Sequence, residues 1–120
     1  MLTMSYFQGD IVLITFPFSD NSGQKQRPAI VISNAIVNKK QDLIVAQVTS
    51  SLSDDEFSFT LQDKHLNKPL PYPSEVRCHK IFSLEKSQVI KKIATLKPDK
   101  KAELIAQIHT FIQVPPTKSK

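Results

Sequence analysis

The hydrophobic pattern divides the chain into short extended segments followed by one helix. After a Gly9-Asp10 turn, Ile11-Val12-Leu13-Ile14-Thr15-Phe16 is β-rich and apolar on both faces, and Pro17 stops it. A polar, turn-rich loop over residues 18–26 follows. A second apolar run, residues 29–33, comes directly after Arg27-Pro28, where Pro28 keeps helix out. Residues 34–42 form a polar connection to a third strand over residues 43–48, which ends in Thr49-Ser50-Ser51. An acidic turn, Ser53-Asp54-Asp55-Glu56, leads into residues 57–61. These alternate apolar and polar with the period of a half-buried strand. Pro69, Pro71 and Pro73 exclude regular structure from the loop over residues 63–73. Alternation returns over residues 74–82, a turn covers residues 85–87, and residues 89–95 are read as a strand.

Pro98-Asp99 opens a helix, with proline at the first helical position and an acid at the positive end of the dipole. Leu104, Ile105, Ile108, Phe111 and Ile112 recur at helical spacing on one face, and the helix ends before Pro115-Pro116. The expected architecture is mainly β with a C-terminal helix: a curled antiparallel sheet or small barrel, with the helix laid against it. A length of 120 residues suits one domain, assigned to residues 1–114, with residues 115–120 as a frayed, disordered tail.

Composition narrows the class. Hydrophobic residues make up 40% and charged residues 22%, as in an ordinary globular protein. No apolar run is long enough to cross a bilayer, and no basic residue precedes an apolar run at the N-terminus, so a cytoplasmic protein is expected. A single cysteine, Cys78, excludes an internal disulfide and a cysteine-based zinc cluster. The net charge of +5 is uneven. Residues 1–60 carry four Lys/Arg against six acids, and residues 61–120 carry twelve against five. A basic second half suits a polyanion such as RNA or DNA, or an acidic protein.

Three places carry candidate chemistry. Arg27 stands where the polar loop meets a rigid strand, a position that commonly presents binding groups. Thr49-Ser50-Ser51 ends a strand in hydroxyls. Arg77 and His79 are two apart on an alternating strand and are expected to share a face. A guanidinium can neutralise phosphate oxygens, and an imidazole can take or give a proton near neutral pH. The plainer reading of each is a solvated polar position. Cys78, between Arg77 and His79, is expected to face the core. His65 and His109 read as solvated, and the three histidines have no metal-ligand spacing. No phosphate loop, dinucleotide fingerprint or nucleophile elbow is present.

The order of these segments resembles the PemK/MazF family, the toxins of type II toxin–antitoxin systems. The matching residues are Gly9-Asp10-Ile11-Val12, Arg27-Pro28-Ala29-Ile30-Val31-Ile32-Ser33, Val48-Thr49-Ser50, and the run from Val76-Arg77-Cys78-His79 to Ser87. The Arg-Pro-x-x-Val-Ile-Ser segment is fairly specific, and Val76-Arg77-Cys78 narrows the likeness to the PemK/Kid-like side. The likeness extends from Gly9 to the final helix.

The resemblance implies an SH3-like barrel, usually a homodimer, that cuts single-stranded mRNA without a metal or other cofactor. In such toxins a 2′-hydroxyl attacks the adjacent phosphorus and leaves a 2′,3′-cyclic phosphate. The family's loop arginine falls on Arg27 and its strand-end threonine on Thr49. The Arg-x-Asp pair of the PemK-like branch falls on Arg77 and His79, so histidine replaces the proposed base. Neutral imidazole accepts a proton more readily at pH 7 than an unperturbed carboxylate does. Phe18, Ser19, Ser50 and Ser51 are placed to contact RNA. The implied protein partner is an antitoxin with an acidic, hydrophobic tail, and operator DNA is reached only through that complex. The alternatives are a non-catalytic binding protein of the same fold, as the related CcdB toxins are, and an inactive toxin that still binds antitoxin.

Overall fold

A computed structural model describes residues 5–17 and 24–116. Six strands run in the order β1 (Asp10–Pro17), β2 (Gln24–Val31), β3 (Asp42–Thr49), β4 (Ser58–Leu61), β5 (Ser74–Glu85) and β6 (Val89–Thr95). A short helix α1 (Ala35–Asn38) joins β2 to β3, and α2 (Pro98–Ile112) closes the chain. One antiparallel sheet takes the strands in the order β4-β5-β3-β2-β1-β6. The edges β4 and β6 do not pair with each other among the described residues, so the barrel is open. A single bridge, Leu66 to Leu96, ties the proline-rich loop to the end of β6.

The doubly apolar runs are explained by two cores, one on each face of the curled sheet. Ile11, Ile30, Ala46, Val48, Val76 and Cys78 face one side, where Phe59, Leu61, Leu66 and the helix residues Leu104 and Ile108 cover them. Val12, Ala29, Val31, Leu43 and Val45 face the other side, covered by Tyr6 and Leu84. Each fully buried aliphatic side chain contributes roughly 1.5–3 kcal/mol. The expected apolar stripe of α2 is narrower than its sequence suggests. Leu104 and Ile108 are buried, Ile105 is half-buried, and Phe111 and Ile112 are exposed.

Three other elements differ from expectation. Strand β2 begins at Gln24, so Arg27 lies inside a strand, opposite Ile14 of β1, and not at the end of a loop. Pro28 is tolerated there because pairing of β2 with β3 covers only Ala29 to Val31. The polar connection contains a helical turn because Asn34 caps it, its side chain accepting a hydrogen bond from the Ile36 N–H. Strand β5 bulges. Ala46 pairs with Ile81 and Gln47 with Arg77, which leaves Cys78, His79 and Lys80 outside the β3 ladder.

Gly9 holds the start of β1 with φ +97°, a conformation that L side chains resist. Its N–H donates to Val31 O and its carbonyl accepts from Leu96 N, so this turn joins β2 to the end of β6. An alanine Cβ would lie 3.1 Å from Lys101 Cδ, which is flexible and can move, so the cost is set by φ. Gly9→Ala is therefore expected to lose about 1–2 kcal/mol, read from the urea midpoint at unchanged m-value. An unchanged midpoint would mean that the turn relaxes.

Candidate functional site

Arg27 and Thr49 reach one cleft because β2 and β3 part beside them. The register pairs Ala29 with Gln47, and extending it by two residues sets Arg27 opposite Thr49. Pairing stops first, since Pro28 has no N–H to offer a ladder. The opening is a cleft of about 430 Å³, with Arg27, Thr49, Ser50, Tyr72 and Ser74 in its wall. Leu13, Val48 and Ile93 give it an apolar lining, Lys25 adds a second cation, and no carboxylate among the described residues lines it. Such a cleft favours an anion with apolar or aromatic parts.

The Thr49 hydroxyl is oriented from within its own strand end. Its Oγ1 accepts from the Ser51 N–H at 3.0 Å, which leaves the hydroxyl proton available to an oxygen in the cleft. Ser50 and Ser51 are exposed beside it. Phe18 and Ser19, the other residues expected to contact RNA, lie outside the described residues.

Arg77 and His79 do not line the cleft; they form a second cluster around Phe57. The Arg77 guanidinium carbon lies 6.0 Å from the centre of the Phe57 ring, and the His79 ring stacks on it at 4.0 Å. Phe111 of α2 meets the same ring at 5.2 Å. Arg77 and His79 both meet the same Phe57 ring with Cys78 turned to the core, as alternation predicts, but Arg77 is buried while His79 is exposed.

The guanidinium is committed to partners inside the protein. Arg77 Nη1 donates to Glu75 Oε2 at 2.7 Å, to Asp55 Oδ1 at 2.9 Å and to Ser58 Oγ at 2.9 Å. Arg77 Nη2 donates to Asp55 Oδ2 at 3.1 Å. The Glu75 carboxylate also accepts from Ser58 Oγ and from the backbone N–H groups of Ser53 and Asp54. The hydrogen bond from Arg77 holds the Asp55 carboxyl down at about 2. Burial pushes Glu75 upward, but the bonds from Ser58 and Arg77 outweigh it and leave its pKa lowered. The two acids in turn raise that of Arg77. Glu75 is the register partner of Thr49, so this network neutralises a carboxylate next to the cleft.

Sequence reasoning passed over Tyr72, Glu75, Asp55 and Phe57. Glu75 was legible as the acid two residues before Arg77 on an alternating strand. Asp55, in a turn far along the chain, carries no such signal. Cys78 is buried as expected, and burial pushes its thiol up to about 11. His65 is half-buried, not solvated. Its Nδ1 has no hydrogen-bond partner among the described residues, and burial, helped by Lys100 and Lys64, lowers its pKa. No group of three or more His, Cys, Asp or Glu among the described residues could hold a metal ion.

The fold is that of the MazF toxins. A chain of the MazE–MazF complex (Form-III) from Deinococcus radiodurans superposes with a TM-score of 0.76 at 22% identity, covering 93% of this chain and 100% of that one. An endoribonuclease in complex with its cognate antitoxin from a mycobacterial species gives 0.71 at 14% identity, covering 93% and 99%. The Mycobacterium tuberculosis toxin MazF-mt6 gives 0.71 at 17% identity, covering 89% and 99%. Comparison with curated protein sequences finds no match. The sequence profile of the family described as PemK-like, MazF-like toxin of type II toxin–antitoxin system matches residues 7–112. The chain belongs to this PemK/MazF toxin family.

Proposed function

We propose that this toxin is a metal-independent endoribonuclease that cuts single-stranded mRNA in the cytoplasm, with its centre at Arg27 and Thr49. The observation that carries the reading is the cleft itself. In a chain of this family, it brings a guanidinium and an oriented hydroxyl together against an anion-favouring wall that holds no carboxylate. In the proposed step the 2′-hydroxyl loses its proton and its oxygen bonds to the adjacent phosphorus. The bond from phosphorus to the 5′ oxygen breaks, and a proton goes to that oxygen. The products are a 2′,3′-cyclic phosphate and a 5′-hydroxyl. Arg27 balances charge on the non-bridging oxygens, and Thr49 donates its hydroxyl proton to one of them.

His79 is the proposed proton-transfer group, and since it does not line the cleft, RNA binding would have to bring its imidazole within hydrogen-bond reach of the 2′-hydroxyl. It is exposed on the bulge, four residues along β5 from the register partner of Thr49, a span of at most ~14 Å. An RNA strand crossing this face would meet the cleft first and the Phe57–His79 pair next. Arg77 acts from the interior as a positioning residue that neutralises Glu75. Single-stranded RNA suits the site, because unstacked bases expose edges that the A-form duplex hides. Ser50 and Ser51 are the proposed backbone or base contacts, with Phe18 and Ser19 from the preceding loop.

The reading includes a homodimer, and an antitoxin partner like the cognate antitoxin bound to the mycobacterial endoribonuclease. The basic second half of the chain would speed the encounter with an acidic, disordered tail. Operator DNA would be bound only through that complex. The test is incubation of purified protein with a long single-stranded RNA in EDTA, followed by mapping of the ends. Discrete cuts with cyclic-phosphate and 5′-hydroxyl ends are expected. A folded protein that leaves the RNA intact would favour a non-catalytic or inactive toxin.

A further inference from the structure

We infer that Tyr72 is a stacking platform for one unpaired base of the RNA, and so a determinant of how tightly the substrate is held. The inference rests on the nuclease reading above and adds a base-binding residue to it. Tyr72 lines the same cleft as Arg27 and Thr49, yet the residue is 69% exposed. An aromatic residue left mostly to solvent beside a cationic wall is available to a ligand.

The loop that carries it is stiff. Pro71 and Pro73 flank Tyr72 and restrict its backbone. Its carbonyl accepts from Ser74 Oγ at 2.8 Å. Upstream, Asn67 N donates to Thr95 O, Asn67 Oδ1 accepts from Thr95 N, and Lys97 N donates to His65 O. Leu66 is buried in the core and Leu70 packs against it. A ring presented from a loop held at so many points loses little freedom when a ligand covers it. Every nucleobase has a π-face, and stacking on an aromatic side chain is worth enough to change affinity severalfold to a hundredfold. With the phosphate at Arg27 and Thr49, the ring at the edge of the same cleft is placed for a base near the scissile bond.

The chain offers a direct reporter. It has no tryptophan and two tyrosines, of which Tyr6 is buried, so a change in tyrosine emission on RNA binding reports Tyr72. The probe is a short single-stranded RNA made non-cleavable by a 2′-deoxy sugar at the mapped cut site. Its binding is expected to quench wild-type emission. Tyr72→Ala is expected to weaken binding by about tenfold or more and raise KM with little change in kcat. Tyr72→Phe keeps the stacking face and should restore affinity while abolishing the quench. Wild-type affinity in Tyr72→Ala, with RNA still cut, would overturn the stacking role and leave the nuclease reading standing. A wild-type protein that neither binds nor cuts RNA would overturn both.

Discussion

Arg27→Ala and Thr49→Ala should each lower RNA cleavage by a factor of about 10² to 10³ while leaving the fold intact. The magnitude is that of removing one oriented charge or donor from a developing oxyanion. Thr49→Ser should retain most activity, since the serine hydroxyl can also accept from the Ser51 N–H. The double variant should fall well short of the product of the two single losses, because both groups act on one phosphate. Neither side chain belongs to either apolar core, so urea midpoints should move little. His79→Asp belongs to the same series. It puts a carboxylate where the PemK-like branch has one, and should keep cleavage. Cleavage at the wild-type rate by both alanine variants would remove the centre from this cleft. Complete loss in His79→Asp would mean a different acid–base arrangement.

The legibility of this protein follows the range of its interactions. Strands β1, β3 and β5 and helix α2 were readable because period-two and 3.6-residue patterns record burial, and burial decides them. The start of β2 at Gln24 was not readable, since the paired residues Lys25 and Gln26 are polar and are held by β1 across the hairpin. The bulge at Cys78 to Lys80 was hidden for the same reason: it is a property of the β3–β5 register, and alternation within β5 gives no sign of it. The union of Arg27 with Thr49 followed from family resemblance, and the register supplies its physical cause. Tyr72 looked like part of a proline-rich linker, because nothing local says that the loop returns to the cleft.

Arg77 is where pattern and structure diverge most, and it gives the largest expected loss of stability. A cation on a strand beside the cleft invites a contact with substrate. Its guanidinium instead bridges Glu75, with a side chain 3% exposed, and Asp55, at 41%. Arg77→Leu would leave Glu75 buried without its counter-charge, held only by Ser58 Oγ and the Ser53 and Asp54 N–H groups, and should cost about 3 kcal/mol at pH 7. The pH dependence identifies the cause. In the wild type both carboxyls have folded pKa values below their unfolded ones. Their stabilisation is therefore complete above about pH 5 and is lost as the pH falls toward 2. In Arg77→Leu the burial of Glu75 is opposed only by the bonds from Ser58, Asp54 and Ser53, so its pKa should rise relative to the wild type. That variant should therefore lose less stability than the wild type as the pH falls, and the gap between the two urea midpoints should narrow toward pH 4. Glu75→Gln in the Arg77→Leu background removes the uncompensated charge and should recover much of the loss at pH 7. The same pair separates the two roles of Arg77. If it serves by neutralising the carboxylate beside Thr49, the refolded double variant should still cut RNA. If it grips the phosphate, the double variant should be stable and inactive, and Arg77 would have to leave Asp55 and Glu75 during the reaction.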